Sequence, residues 1–126
     1  MTADVIAKTI KEYFAALRAM DEKRWVNTFA ADAVSYDPVG TPAMEGHEKL
    51  AEFFQTITAA FNEVGLTEND VFIADASAAV KWTGRGTSRA GKDVKFEGID
   101  VFEFNEAGKI QTLRAYWNPA VMVAQL

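Results

Sequence analysis

Apolar positions recur at helical spacing in the first half of the chain and alternate in the second. Between residues 3 and 19, Ile6, Ile10, Tyr13, Phe14 and Leu17 fall on one stripe of an amphipathic helix. Asp21 stands where an N-cap would start a short second helix carrying Trp25, Val26 and Phe29. A brief strand over about 33–37 ends at Asp37-Pro38, because proline lacks a donor and pushes the residue before it out of the helical region. Residues 40–46 read as loop. From His47 a third helix presents Leu50, Phe53, Phe54, Ile57 and Phe61. Strands follow at about 66–75, 76–87, 93–104 and 109–117, with hairpin turns at Ala90-Gly91-Lys92 and Asn105-Glu106-Ala107-Gly108.

Three helices followed by a run of antiparallel strands is the α+β pattern, with the helices packed on one face of the sheet. Gly84, Gly86 and Gly98 lie inside strands and are expected to mark bends or bulges. A strongly curved sheet wrapped around helices makes a cone with an open mouth. No repeat, linker or low-complexity segment divides residues 1–126, so a single domain is expected.

The strand at 94–104 carries the first candidate chemistry. Period two puts Val94, Phe96, Gly98, Asp100, Phe102 and Phe104 on one face, and Lys95, Glu97, Ile99, Val101 and Glu103 on the other. Asp100 is in phase with the aromatic face. An anion there is costly, so its pKa should rise and a neutral acid could donate a hydrogen bond. A bulge that turns Asp100 outward, or neutralisation by Arg114, is the alternative. Tyr13 sits in the core stripe of the first helix, where its hydroxyl needs a partner of some kind. Asp37, taken by itself, fits a turn residue before proline more often than a base.

Composition narrows the chemistry. The 126 residues contain no cysteine and one histidine, which excludes disulfides, thiolate nucleophiles, multi-histidine metal sites and histidine dyads; no metal or other cofactor is expected. His47 reads as a solvated side chain in the first turn of its helix. Net charge is -5 and no basic block is present beyond Arg85, Arg89, Lys92 and Lys95 at a hairpin, so no nucleic-acid partner is expected. No apolar run is long enough to span a bilayer, and the first residues lack the pattern of a signal peptide, which leads to the expectation of a cytoplasmic protein without membrane attachment.

Val34-Ser35-Tyr36-Asp37-Pro38-Val39-Gly40, the first-helix Tyr13 and Gly98-Ile99-Asp100-Val101-Phe102 together resemble bacterial ketosteroid isomerase, within the NTF2-like, SnoaL-like polyketide cyclase superfamily. The resemblance runs essentially end to end. It takes in Phe29-Ala30-Ala31-Asp32-Ala33, Asn105-Glu106-Ala107-Gly108-Lys109-Ile110 and Arg114-Ala115-Tyr116-Trp117. It implies the cone-shaped fold and three catalytic residues. Asp37 would carry a proton from C4 to C6 of a steroid, while Tyr13 and a protonated Asp100 would stabilise the oxyanion. Phe54, Trp82, Phe96 and Trp117 are the expected substrate contacts, with core filling an equal reading for Trp117. Phe54 and Phe29 stand where some relatives carry tyrosine, which leaves Tyr13 with fewer hydroxyl neighbours.

The leading expectation is therefore a Δ5-3-ketosteroid isomerase acting on an apolar ketone without a cofactor. An aldol-type polyketide cyclase would use the same base and fold. A lipophile-binding module without catalysis is the third reading, although such a module gains little from burying two carboxylates. Epoxide hydrolysis through an Asp-Arg-Asp set lacks its Arg-x-Asp spacing around Asp100, and scytalone-type dehydration lacks its second histidine. Ile99 and Val101 make the outer face of their strand half-apolar, and family members pair through the sheet, so a homodimer is expected.

Overall fold

The first helix begins where Thr2 accepts a hydrogen bond from the Val5 amide at 3.3 Å, satisfying one of the donors that a helix start leaves free. In the computed structural model, which describes residues 2–126, α1 spans Ala3–Arg18 and buries Ile6, Ile10, Tyr13, Phe14 and Ala16. Asp21 caps α2 (Glu22–Val26) in the same way. The remaining elements are β1 (Phe29–Tyr36), β2 (Met44–Glu45), α3 (Gly46–Thr58), β3 (Phe61–Ala74), β4 (Ser77–Ser88), β5 (Asp93–Phe104), β6 (Ile110–Trp117) and α4 (Pro119–Val123).

The strands form one sheet in the order β2-β1-β6-β5-β4-β3, antiparallel throughout except where β1 runs parallel to β6. Helices α1 and α3 lie against its two ends, over β3 and β1, and α2 bridges them. Residues buried on β5 alternate from Val94 to Phe104, the phase expected from its sequence. No helix among the described residues is long and apolar enough to cross a membrane.

Several expectations need correction. Phe29 and Phe61 open strands rather than continuing helices, because α2 and α3 end at Val26 and Thr58. Their apolar spacing persists through the helix-ending turn, so each still faces the core from the strand that follows, 2% and 1% exposed. The loop at 40–46 contains the two-residue β2, and a short α4, capped by Asn118 with Pro119 at its start, follows the last strand.

The strand glycines do not mark bulges: β4 and β5 pair without interruption from Ser77↔Glu103 to Thr87↔Asp93. The irregularities fall in β1, in β3 and at the end of β5 instead. Gly84 and Gly98 make room for rings. A Cβ on Gly84 would lie 2.6 Å from the Phe96 ring, and one on Gly98 would lie 2.5 Å from Trp82 Cζ2 and 2.8 Å from Trp117 Cβ.

Candidate active site

Between the helices and the inner face of the sheet lies an apolar cavity of about 610 Å³, its open mouth included. All seven residues singled out from sequence line it. Tyr13 enters from α1, Phe54 from α3, Trp82 from β4, Phe96 and Asp100 from β5, Trp117 from the end of β6, and Asp37 from the residue after β1. Leu17, Trp25, Phe53, Ile57 and Leu66 supply much of the remaining wall.

Strand register explains how three elements meet there. Asp100 pairs with Val80 on one side and Ala115 on the other, and Gly98 pairs with Trp82 and Trp117. Residues opposite one another in a sheet share a face, so both tryptophans stand next to Asp100 on the inner side. Trp82, Phe96 and Trp117 form an aromatic cluster with centroid separations of 5.8, 6.2 and 5.6 Å. This wall exists because Gly98 and Gly84 leave the rings somewhere to go.

The polar groups in this apolar setting are few. Asp100 is 2% exposed, and its Oδ2 has no hydrogen-bond partner. Burial, reinforced by the nearby Asp37 carboxylate, holds its pKa well above the usual carboxylate range. Arg114 does not neutralise it. That side chain lies on the other face, 3.4 Å from Glu103 Oε2 and 5.6 Å from the Tyr36 ring centroid. Asp37 is half-buried and follows a different rule: its Oδ1 accepts a 2.6 Å hydrogen bond from Trp117 Nε1. Burial raises its pKa to about 6, and the indole donor opposes that rise. Burial thus takes this residue out of the ordinary carboxylate range. Tyr13 is pushed well above the usual tyrosine range by burial and by the two acids, so it keeps its proton.

Residues 10–113 match the SnoaL-like domain family. The chain belongs to that family. A steroid Delta-isomerase of Nocardioides simplex is 28% identical over 123 residues, 98% of this chain and 97% of that protein. A solved structure of SalBIII, an epoxide hydrolase/cyclase-like enzyme described for pyran ring formation in the polyether salinomycin, has a TM-score of 0.81 and 27% identity, covering 91% of this chain and 92% of its own. The cone-shaped NTF2-like fold expected from the sequence is the fold observed.

In this SnoaL-like cone, an acid and a phenol whose pKa values are raised by burial line the cavity that also holds an acid able to ionise below neutral pH. Such a set can take a proton from carbon and stabilise the charge that moves to oxygen. Two residues were misread or missed from sequence. His47 is half-buried rather than solvated, its Nε2 2.9 Å from the Phe29 carbonyl oxygen, where it ties α3 to β1. Trp25 lines the cavity but read only as a core residue of a short helix. The signal that could have marked it is its indole N–H, for which a buried tryptophan usually finds an acceptor.

Proposed function

We propose that this protein is an isomerase that moves the C5–C6 double bond of a 3-ketosteroid into conjugation with the ketone. The Asp37 carboxylate takes a proton from C4, and the freed electron pair shifts to place negative charge on the C3 oxygen. Tyr13 and the protonated Asp100 donate hydrogen bonds to that oxygen, which carries more charge in the dienolate than in the ketone. Asp37 then returns the proton at C6 and leaves the C4–C5 double bond. No electron enters or leaves the substrate, so the balance calls for no redox cofactor.

The observation that carries the proposal is the contrast between two acids in one apolar cavity. Asp37 accepts from an indole donor and has a pKa of about 6, whereas Asp100 Oδ2 is buried without a partner. The steroid Delta-isomerase similar along nearly the whole chain supports the choice of substrate. Purified protein given 5-androstene-3,17-dione should raise the ultraviolet absorbance of the conjugated product, and Asp37→Asn should lower turnover by roughly three powers of ten. Unchanged turnover in Asp37→Asn would remove the base assignment.

The structural likeness to an epoxide hydrolase/cyclase-like enzyme supports a second reading, ring closure of a polyketide, in which Asp37 would again be the base. Turnover of a polyketide but of no ketosteroid would favour it. The outer face of the sheet supports a homodimer as well: Ile99 and Tyr116 are 44% and 49% exposed on neighbouring strands. Light scattering at micromolar concentration should give twice the chain mass, and a monomer mass would count against the dimer.

A further inference from the structure

Among the described residues, three buried side-chain nitrogen or oxygen atoms lack a hydrogen-bond partner: Asp100 Oδ2, Trp25 Nε1 and Trp82 Nε1. All three belong to residues that line the same cavity, each about 2% exposed. Buried polar groups are nearly always paired, so three orphans at one site call for an explanation in that site's chemistry.

Each indole lies near one of the two groups that would stabilise an oxyanion. The Trp25 ring lies 5.8 Å from the Tyr13 ring, centroid to centroid. The other rings around Tyr13 are Phe14, Phe29 and Phe102, none of which has a polar hydrogen, so among these rings Trp25 alone can donate. Its N–H favours the ionised form of the Tyr13 hydroxyl. Trp82 pairs with Gly98, two residues from Asp100 on the same inner face, and its N–H favours the Asp100 anion. Neither contact closes to a hydrogen bond.

We propose that Trp25 and Trp82 are positioning residues of the oxyanion hole. As charge builds on a ligand oxygen, the Trp25 N–H closes on the Tyr13 hydroxyl oxygen and the Trp82 N–H closes on Asp100 Oδ2. Tyr13 gives up part of its O–H bond to the ligand, its oxygen becomes a better acceptor, and the indole donor answers that change. At Asp100 the indole occupies one carboxyl oxygen and so keeps the acid proton on the other, directed at the ligand. The inference takes its reacting oxygen from the isomerase reading, but the same donors would serve any anionic oxygen bound there.

The test uses the intact protein, whose three tryptophans (25, 82 and 117) give three indole N–H resonances. These are assigned by through-space contacts and followed as 2-naphthol, a mimic of the dienolate oxygen, is added. Trp25 and Trp82 should move downfield and exchange more slowly with water. Naphthol binding that leaves both unmoved overturns the proposal, and so does failure of naphthol to bind. Trp25→Phe and Trp82→Phe should each lower kcat about tenfold with KM nearly constant, and should reduce the naphtholate fraction of bound naphthol seen by absorbance. A purely structural role would lower stability without changing that fraction. Shifted indole signals without steroid turnover would defeat the isomerase reading alone. Steroid turnover with unmoved indoles would defeat this inference alone.

Discussion

Trp117 donates its indole N–H to Asp37 Oδ1 at 2.6 Å, although 80 residues separate the two in sequence. The contact forms because β1 and β6 run parallel, with Tyr36 paired to Arg114 near their ends. It stabilises the anion of Asp37 against the burial that raises its pKa to about 6. A base must be ionised to accept a proton, so kcat/KM for steroid isomerisation should be level above pH 6 and fall about tenfold per unit below it. Trp117→Phe removes the opposing donor and should move that midpoint upward by about one unit. A pH–rate series on both proteins checks this, and an unmoved midpoint would mean the indole does not act on the base.

Asp100 should govern how stability depends on pH. Its folded pKa lies above the unfolded value of about 3.9, so across that interval the folded state holds a proton the unfolded state has lost. Stability therefore falls as pH rises past about 4 and stops falling above the folded pKa. Asp37 adds a slope of the same sign between about 4 and about 6, shared by wild type and an Asp100 variant. Asp100→Asn keeps the shape and one donor, so it should gain stability on wild type from pH 4 towards 7, with turnover down about tenfold. Asp100→Leu should lose about a hundredfold or more. Chemical denaturation at several pH values checks the difference, and parallel wild-type and Asp100→Asn curves would contradict the burial of the acid.

Gly98 should tolerate no side chain. Its Cβ would meet Tyr116 O at 2.7 Å as well as the two tryptophans, and that carbonyl is fixed in the β5–β6 ladder. Gly98→Ala should cost about 1–3 kcal/mol in denaturant unfolding. It should also lower turnover, because the displaced Trp117 carries the donor to Asp37. Native stability and activity in Gly98→Ala would show that the ring cluster has slack.

The helical stripe of α1 and the strict alternation of β5 were legible because each follows a single period over many residues. Asp100 could be placed inside from its phase alone. Phe29 and Phe61 were not legible: their spacing from the preceding apolar residues is helical, and only the caps at Asn27 and Ala59 tell that the helices have ended. The role of Gly98 also escaped, since a strand glycine that yields space to a ring across the sheet looks in sequence like one that bends it. The Trp117–Asp37 contact depends on a parallel pairing between the first and last long strands, which no local pattern reveals. Trp25 was hidden for a simpler reason: nothing in its short helix indicates where its N–H points.

Asp37 and Asp100 share one cavity, and isomerisation as proposed needs the first ionised while the second is protonated. Carbon-13 labelling of aspartate carboxyl groups, with Asp37→Asn and Asp100→Asn used for assignment, reads each state directly as pH is raised. Asp37 should titrate near pH 6, and Asp100 should keep the chemical shift of a protonated acid well above the pH at which exposed aspartates titrate. An Asp100 signal that titrates near pH 4 with the exposed aspartates would contradict the account.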